Sequence, residues 1–179
     1  MGYDNPSGWY AGGFASKVSL RELDSNAQLT AYGGYSRRLE SGLGWELGAT
    51  RTEFLQAADY RYTEVFAGLS SDNFNGRIYF SPNYFGQSAR SIYAELNGAY
   101  PIRERLRLLG HIGYLGSFSD NEKLASYAAT RFDTRIGVSA GIANWEFNLA
   151  WVAIERSRAK YRYGDRDSPT LVLSTSYSF

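Results

Sequence analysis

Imidazole is the side chain that exchanges a proton near neutral pH, and this chain carries one, His111. A hydrolytic triad needs a nucleophile, a base and an orienting group within hydrogen-bond reach. Only His111 could be the base, so any such chemistry has to be built around it. As a functional group it would be a proton acceptor or a pH-sensitive gate. As a structural group it would bond to a neighbouring carboxylate, and that reading is favoured because no second histidine exists to share a metal. With no cysteine in the sequence, thiolate sites, disulfides and a Cys nucleophile are excluded, and no cofactor is implied. The other candidates are charges at regular spacing: Glu46, Glu64, Glu95, Asp133 and Glu146 against Lys17, Arg77, Arg107 and Arg135. If these share one face, they either pair as filler or line a path for small solutes, because isolated charge in a poorly hydrated interior is costly.

The elements that would position them alternate with period two. Phe132, Thr134, Ile136, Val138, Ala140 and Ile142 fall on one side of an extended segment, with Asp133, Arg135, Gly137, Ser139 and Gly141 on the other. The next segment repeats this, with Trp145, Phe147, Leu149, Trp151 and Ala153 opposite Glu146 and Asn148. In the strand holding His111, Arg107 and Gly113 face with it, while Leu108, Ile112 and Tyr114 face away. This pattern predicts about ten strands, at 9–20, 27–39, 43–54, 60–70, 74–84, 90–102, 105–115, 131–143, 145–156 and 169–179. Short links at Glu40-Ser41-Gly42, Ser71-Asp72-Asn73, Arg103-Glu104 and Asn144 suit hairpins, and the longest links are 116–130 and 157–168. No helical period interrupts the series, so the fold class is all-β: one antiparallel up-and-down barrel over residues 1–179.

Composition alone fits a soluble β protein. The 179 residues are 44% hydrophobic and 21% charged, with a net charge of +1 that gives no argument for nucleic acid. No apolar run approaches the roughly 18 residues of a spanning helix, and MGYDNPSGWY does not read as a signal peptide. Strand length and aromatic placement point the other way. Strands of roughly 9–11 residues span a bilayer, whereas globular strands cluster near 5–6. Trp9, Tyr10, Trp45, Phe74, Tyr100, Trp145, Tyr177 and Phe179 fall beside the short turns or termini, and Phe54, Tyr60, Tyr62, Tyr84, Phe85, Tyr114, Tyr161 and Tyr163 beside the long loops. Such sorting suggests two interfacial girdles of a transmembrane barrel. The regularly spaced charges, with His111, would then line its lumen.

The last strand places Leu171, Leu173, Thr175, Tyr177 and Phe179 on one face and stops on an aromatic. It resembles the C-terminal signal of bacterial outer-membrane barrels, which implies Tyr177 and Phe179 as contacts for the outer-membrane assembly machinery. The segments SGWYAGGFAS (7–16) and SPNYFG (81–86) resemble the proteobacterial outer-membrane family Gcw_chp, a likeness that runs through the whole chain. Its motifs carry no catalytic residues to transfer. The resemblance implies a signal peptide and a first hairpin before Gly2, so that Met1 falls inside a second strand and a complete member has about twelve strands.

The sequence therefore predicts a barrel in the bacterial outer membrane, with lipid and lipopolysaccharide as neighbours and both termini periplasmic, because ten strands is an even number. Ten to twelve strands leave at most a narrow path. The expected function is a narrow channel for ions or small solutes, or a structural barrel. A barrel enzyme is disfavoured, because His111 sits mid-strand and faces inward, and a soluble ligand-binding barrel is the remaining alternative. The basic loop RSRAKYRYGDRDS (156–168) is either a contact for lipopolysaccharide phosphates or a solvated loop.

Overall fold

A computed structural model of the chain describes residues 1–17, 27–55, 57–84, 86, 89–118, 130–156 and 169–178. It is a single antiparallel meander of eleven strands, each paired with its neighbours in sequence. They are β1 (Gly2–Asp4), β2 (Trp9–Lys17), β3 (Ala27–Arg38), β4 (Gly44–Phe54), β5 (Tyr62–Ser70), β6 (Phe74–Tyr84), β7 (Ala89–Arg103), β8 (Leu106–Phe118), β9 (Thr130–Ile142), β10 (Trp145–Arg156) and β11 (Thr170–Tyr177). The ten strands read from alternation correspond to β2 to β11. The additional β1 is three residues long, too short to display a period. Tyr60, expected to open β5, instead closes a 3-10 turn, Ala58–Tyr60. No described helix is long and apolar enough to cross a membrane, which says nothing of strands.

Tight connections set the register. Between β3 and β4, Leu39 N–H donates to Leu43 O at 2.8 Å and Gly42 takes φ 86°, a left-handed angle that glycine adopts without a Cβ clash. Between β9 and β10 the turn is Ala143-Asn144, and Ala143 itself takes φ 52°. A side chain there is strained, by about 1 kcal/mol.

The strand order is linear, and among the described residues no ladder joins β1 or β2 to β11, so the expected barrel appears as an open sheet. It curls toward one face. Strands two apart stand roughly 10 Å from each other, yet Tyr10 on β2 bonds Glu46 on β4, Tyr93 on β7 bonds Asp133 on β9, and Arg107 on β8 bonds Glu146 on β10. We call the face these side chains share the inner face.

Register keeps the two faces chemically distinct across the sheet, since opposed residues in an antiparallel pair point the same way. The outer face holds Leu47, Val65, Ile78, Leu96, Ile112, Ile136, Leu149 and Leu173, all exposed, Leu173 as much as 73%. The most shielded side chains are polar: Ser81, Ser91 and Ser139 at 0%, 1% and 2%. Ordinary water-soluble burial is the reverse.

Parity corrects several expectations. Lys17 alternates with Trp9, Ala11, Gly13 and Ala15, which puts it on the outer face at the far end of β2, opposite Ala27. Tyr10 points inward to Glu46. The aromatic belt beside the short turns is present on the outer face, where Trp9, Tyr35 and Trp45 contact one another and Trp145 meets Tyr177 at 4.9 Å. The belt beside the long loops is not as expected: Phe54, Tyr62 and Tyr84 contact one another on the inner face instead. The outer aromatics of that half are Phe80, Tyr114, Phe118, Phe132 and Trp151. Phe85, Tyr161, Tyr163, Phe179 and the loop 157–168 lie outside the described residues. The termini do not share an edge. Gly2 opposes Gly12 and the Met1 ammonium donates to Gly13 O at 2.8 Å, partway along β2, whereas Ser178 N–H bonds Asn144 O at the turn edge.

Candidate functional site on the inner face

One register row crosses six strands of the inner face, β4 to β9, and carries four of the predicted charges. Glu46 on β4 opposes Gly68, Gly68 opposes Arg77, and Arg77 opposes Glu95 on β7. Glu95 then opposes Gly113, and Gly113 opposes Asp133 on β9. A glycine thus stands between two charged residues twice. A Cβ at Gly68 would lie 2.6 Å from Glu46 Oε1 and 3.0 Å from Arg77 Cγ. At Gly113 it would lie 2.3 Å from Tyr93 Oη and 2.7 Å from Asp133 Oδ1. The missing side chain is what lets charges on alternate strands lean over the middle one.

Over Gly68 the two charges are opposite and they meet. Arg77 Nε donates to Glu46 Oε1, and Tyr10 Oη donates to Glu46 Oε2 at 2.9 Å. The Arg77 guanidinium also covers the Phe66 ring at 5.7 Å. This cluster ties β2, β4 and β6 together and leaves neither oxygen of Glu46 free.

Over Gly113 the two charges are alike, and the carboxylates find different surroundings. Asp133 Oδ1 accepts from Tyr93 Oη at 3.1 Å and lies 2.8 Å from His111 Nε2. Arg131 Nε stands 3.4 Å from Asp133 Oδ2, an ion pair without hydrogen-bond geometry. His111 Nδ1 is 2.7 Å from Asn97 Oδ1, and Asn97 donates in turn to Asn75 Oδ1 at 3.1 Å. His111 therefore has a partner on each ring nitrogen, one of them a carboxylate, which is the structural role its isolation in the sequence favoured. Glu95, by contrast, has no hydrogen bond or ion pair among the described residues, and neither has Arg135, which opposes His111 on β9. Both line a recess of about 440 Å³ whose far wall is apolar, formed by Val152 and Ile154 of β10.

The remaining predicted charges flank this centre. Arg107 donates to Glu146 Oε1 at 2.9 Å, and Ser139 Oγ donates to the same oxygen at 2.8 Å. Thr50 Oγ1 donates to Glu64 Oε2 at 3.3 Å. Toward the long loops, Phe66, Tyr79 and Tyr93 form an aromatic row with centroids 5.4 and 6.0 Å apart. Nine of the ten predicted inner-face residues therefore lie on that face, Lys17 being the exception. Tyr10, Tyr93, Asn97 and Arg131 were missed. Each stands at inner parity in its strand, and that parity was the one available signal for them.

The family model Gcw_chp, a bacterial protein of unknown function, matches residues 1–179. The chain belongs to this family. No curated protein and no solved structure matches it. For this Gcw_chp member the chemistry must therefore be argued from its own side chains. Among the described residues no three His, Cys, Asp or Glu side chains gather to hold a metal ion, and no hydroxyl nucleophile bonds His111, whose two nitrogens are occupied by Asp133 and Asn97. What the described inner face offers is two ion-pair clusters, Arg77 with Glu46 and Arg107 with Glu146, and a recess lined by Glu95 and Arg135.

Proposed function

We propose that this Gcw_chp chain is an outer-membrane β-barrel whose inner face is the lumen, giving ions or small solutes a narrow path past Glu95 and Arg135. The observation that carries the reading is the inverted burial: exposed Leu, Ile and Val across the outer face, and shielded polar residues within. Exposed apolar area on this scale is the signature of a surface that meets lipid or a partner, and alternation of apolar-out with polar-in is how a barrel spans a bilayer. Strands of 9 to 15 residues in β2 to β10 are long enough to cross. The Trp9, Tyr35 and Trp45 contact group suits a headgroup boundary. Tyr177, on the outer face beside Trp145, is the described part of the proposed assembly signal. Lipid, with lipopolysaccharide outside, is the proposed surrounding, and the termini are assigned no shared side.

The path is narrow because most inner charges are spent on one another. Among the described residues Glu95 and Arg135 make no hydrogen bond or ion pair, and Glu64 has only the Thr50 hydroxyl, so these are the charges a permeating ion would meet. In planar bilayers the purified full chain should give small discrete conductance steps, altered by Glu95→Gln and by Arg135→Gln. The row of Phe66, Tyr79 and Tyr93 favours a second reading, a sealed structural barrel, and a silent bilayer would decide for it. Recovery of the protein in the aqueous phase without detergent would overturn the membrane reading altogether.

A further inference from the structure

The recess beside β10 differs from the rest of the inner face in holding charges of both signs that make no hydrogen bond or ion pair among the described residues; Arg77, which opposes Glu95 in register, is engaged by Glu46. Glu95 enters it from β7 and Arg135 from β9, and the register offsets them by two strands across the sheet and two residues along it. Asp133 lies between them, but its oxygens are engaged by His111, Tyr93 and Arg131. Val152 and Ile154 supply an apolar wall on the other side. A volume of about 440 Å³ falls in the range of small-molecule sites, roughly 300–1,000 Å³.

From this arrangement we propose that the recess is a binding site for small zwitterions of amino-acid size that carry a hydrocarbon side chain. The Arg135 guanidinium takes the carboxylate, its fork of donors matching two oxygens. The Glu95 carboxylate takes the ammonium group. Val152 and Ile154 cover the hydrocarbon portion. The network of His111, Asn97, Asp133 and Tyr93 holds the floor between the two charges, so that a ligand's groups meet a fixed geometry rather than a mobile one. An ion of either sign alone satisfies only one of the two free charges and leaves the other uncompensated. This inference deepens the proposed solute path and rests on it for access from water.

The test uses the full chain purified in detergent, with L-leucine as the probe and two analogues that each lack one of its charged groups: 4-methylpentanoate, which lacks the ammonium, and isopentylamine, which lacks the carboxylate. Binding is read by calorimetry. Leucine should bind at least about tenfold more tightly than either analogue, the scale of one charge-assisted hydrogen bond. Glu95→Gln should bring leucine down to the level of 4-methylpentanoate while leaving 4-methylpentanoate unchanged, and Arg135→Gln should do the same with isopentylamine. Strand content by circular dichroism checks that both variants fold, and the analogue series on the unsubstituted protein stands even if one does not. Equal affinity of leucine and 4-methylpentanoate, or no heat from leucine on folded protein, overturns the proposal. Conductance is measured separately: leucine binding with a silent bilayer rejects the channel and keeps the site, whereas conductance without leucine binding rejects the site and keeps the channel.

Discussion

The inner face builds the same motif twice and gets opposite results. Glu46, Gly68 and Arg77 on β4 to β6 and Glu95, Gly113 and Asp133 on β7 to β9 are each charge, glycine, charge across three strands. In the first the outer members attract, and Arg77 closes on Glu46. In the second they repel, so Asp133 turns to His111 and Tyr93 and Glu95 is left facing a recess. A single sign separates a lock from a site. The glycines confer reach, and the charges decide what the reach accomplishes.

Four substitutions press on that difference. The largest effect should come from Glu46→Ala, which strands both Arg77 and Tyr10. We expect a loss of about 2 kcal/mol in urea unfolding of the detergent-solubilised protein, below the 3–5 for a fully buried pair because Arg77 is 41% exposed. A loss under about 0.5 kcal/mol would mean the cluster is no lock. Asp133→Asn keeps an acceptor for Tyr93 and His111 but removes the charge facing Arg131, so roughly 1.5 kcal/mol should go in the same assay. Glu95→Arg sharpens the comparison, because it gives the second row the opposite signs of the first. Stability should change by no more than about 1 kcal/mol, because the attraction gained toward Asp133 is offset by a like charge opposite Arg77, while leucine binding is abolished; unchanged leucine binding would show that Glu95 does not face the ligand. The smallest effect is Tyr10→Phe, which removes one of the bonds to Glu46 and leaves Arg77 in place, costing about 0.5–1 kcal/mol.

Much of this frame was legible in the sequence. Period two over β2 to β10 is long and regular, and once one strand is phased the hairpins phase the next, so inner parity was assigned correctly at Glu46, Arg77, Glu95, His111, Asp133 and Arg135. Lys17 failed because charge was taken as a sign of the polar face, while at a strand end a long side chain can sit at outer parity and still reach water. Phe54, Tyr62 and Tyr84 failed by the converse error: an aromatic near a strand end was read as interfacial, but Phe54 and Tyr62 stand at inner parity, a register shift between Ser81 and Tyr84 turns Tyr84 to the same face, and the Tyr62 ring contacts the other two. The pairings were beyond reach for another reason. Whether Asp133 answers Arg135, Arg131 or His111 depends on stagger across β8 and on curl, and neither is written in the alternation of any single strand. The up-and-down strand order was read correctly from the hairpin links, whereas the open edges at β1 and β11 are a property of the whole sheet.

The two halves matter functionally only if the inner face is a lumen and the outer face meets lipid, and neighbouring residues on β7 test that directly. The chain has no cysteine, so Leu96→Cys on the outer face and Glu95→Cys on the inner face each create a single reactive thiol. In native outer-membrane vesicles, a charged, water-soluble maleimide should label the cysteine at position 95 and spare that at 96, with a lipid-soluble maleimide giving the opposite preference. Rapid labelling of both positions by the charged reagent would place both faces in water and contradict the membrane barrel.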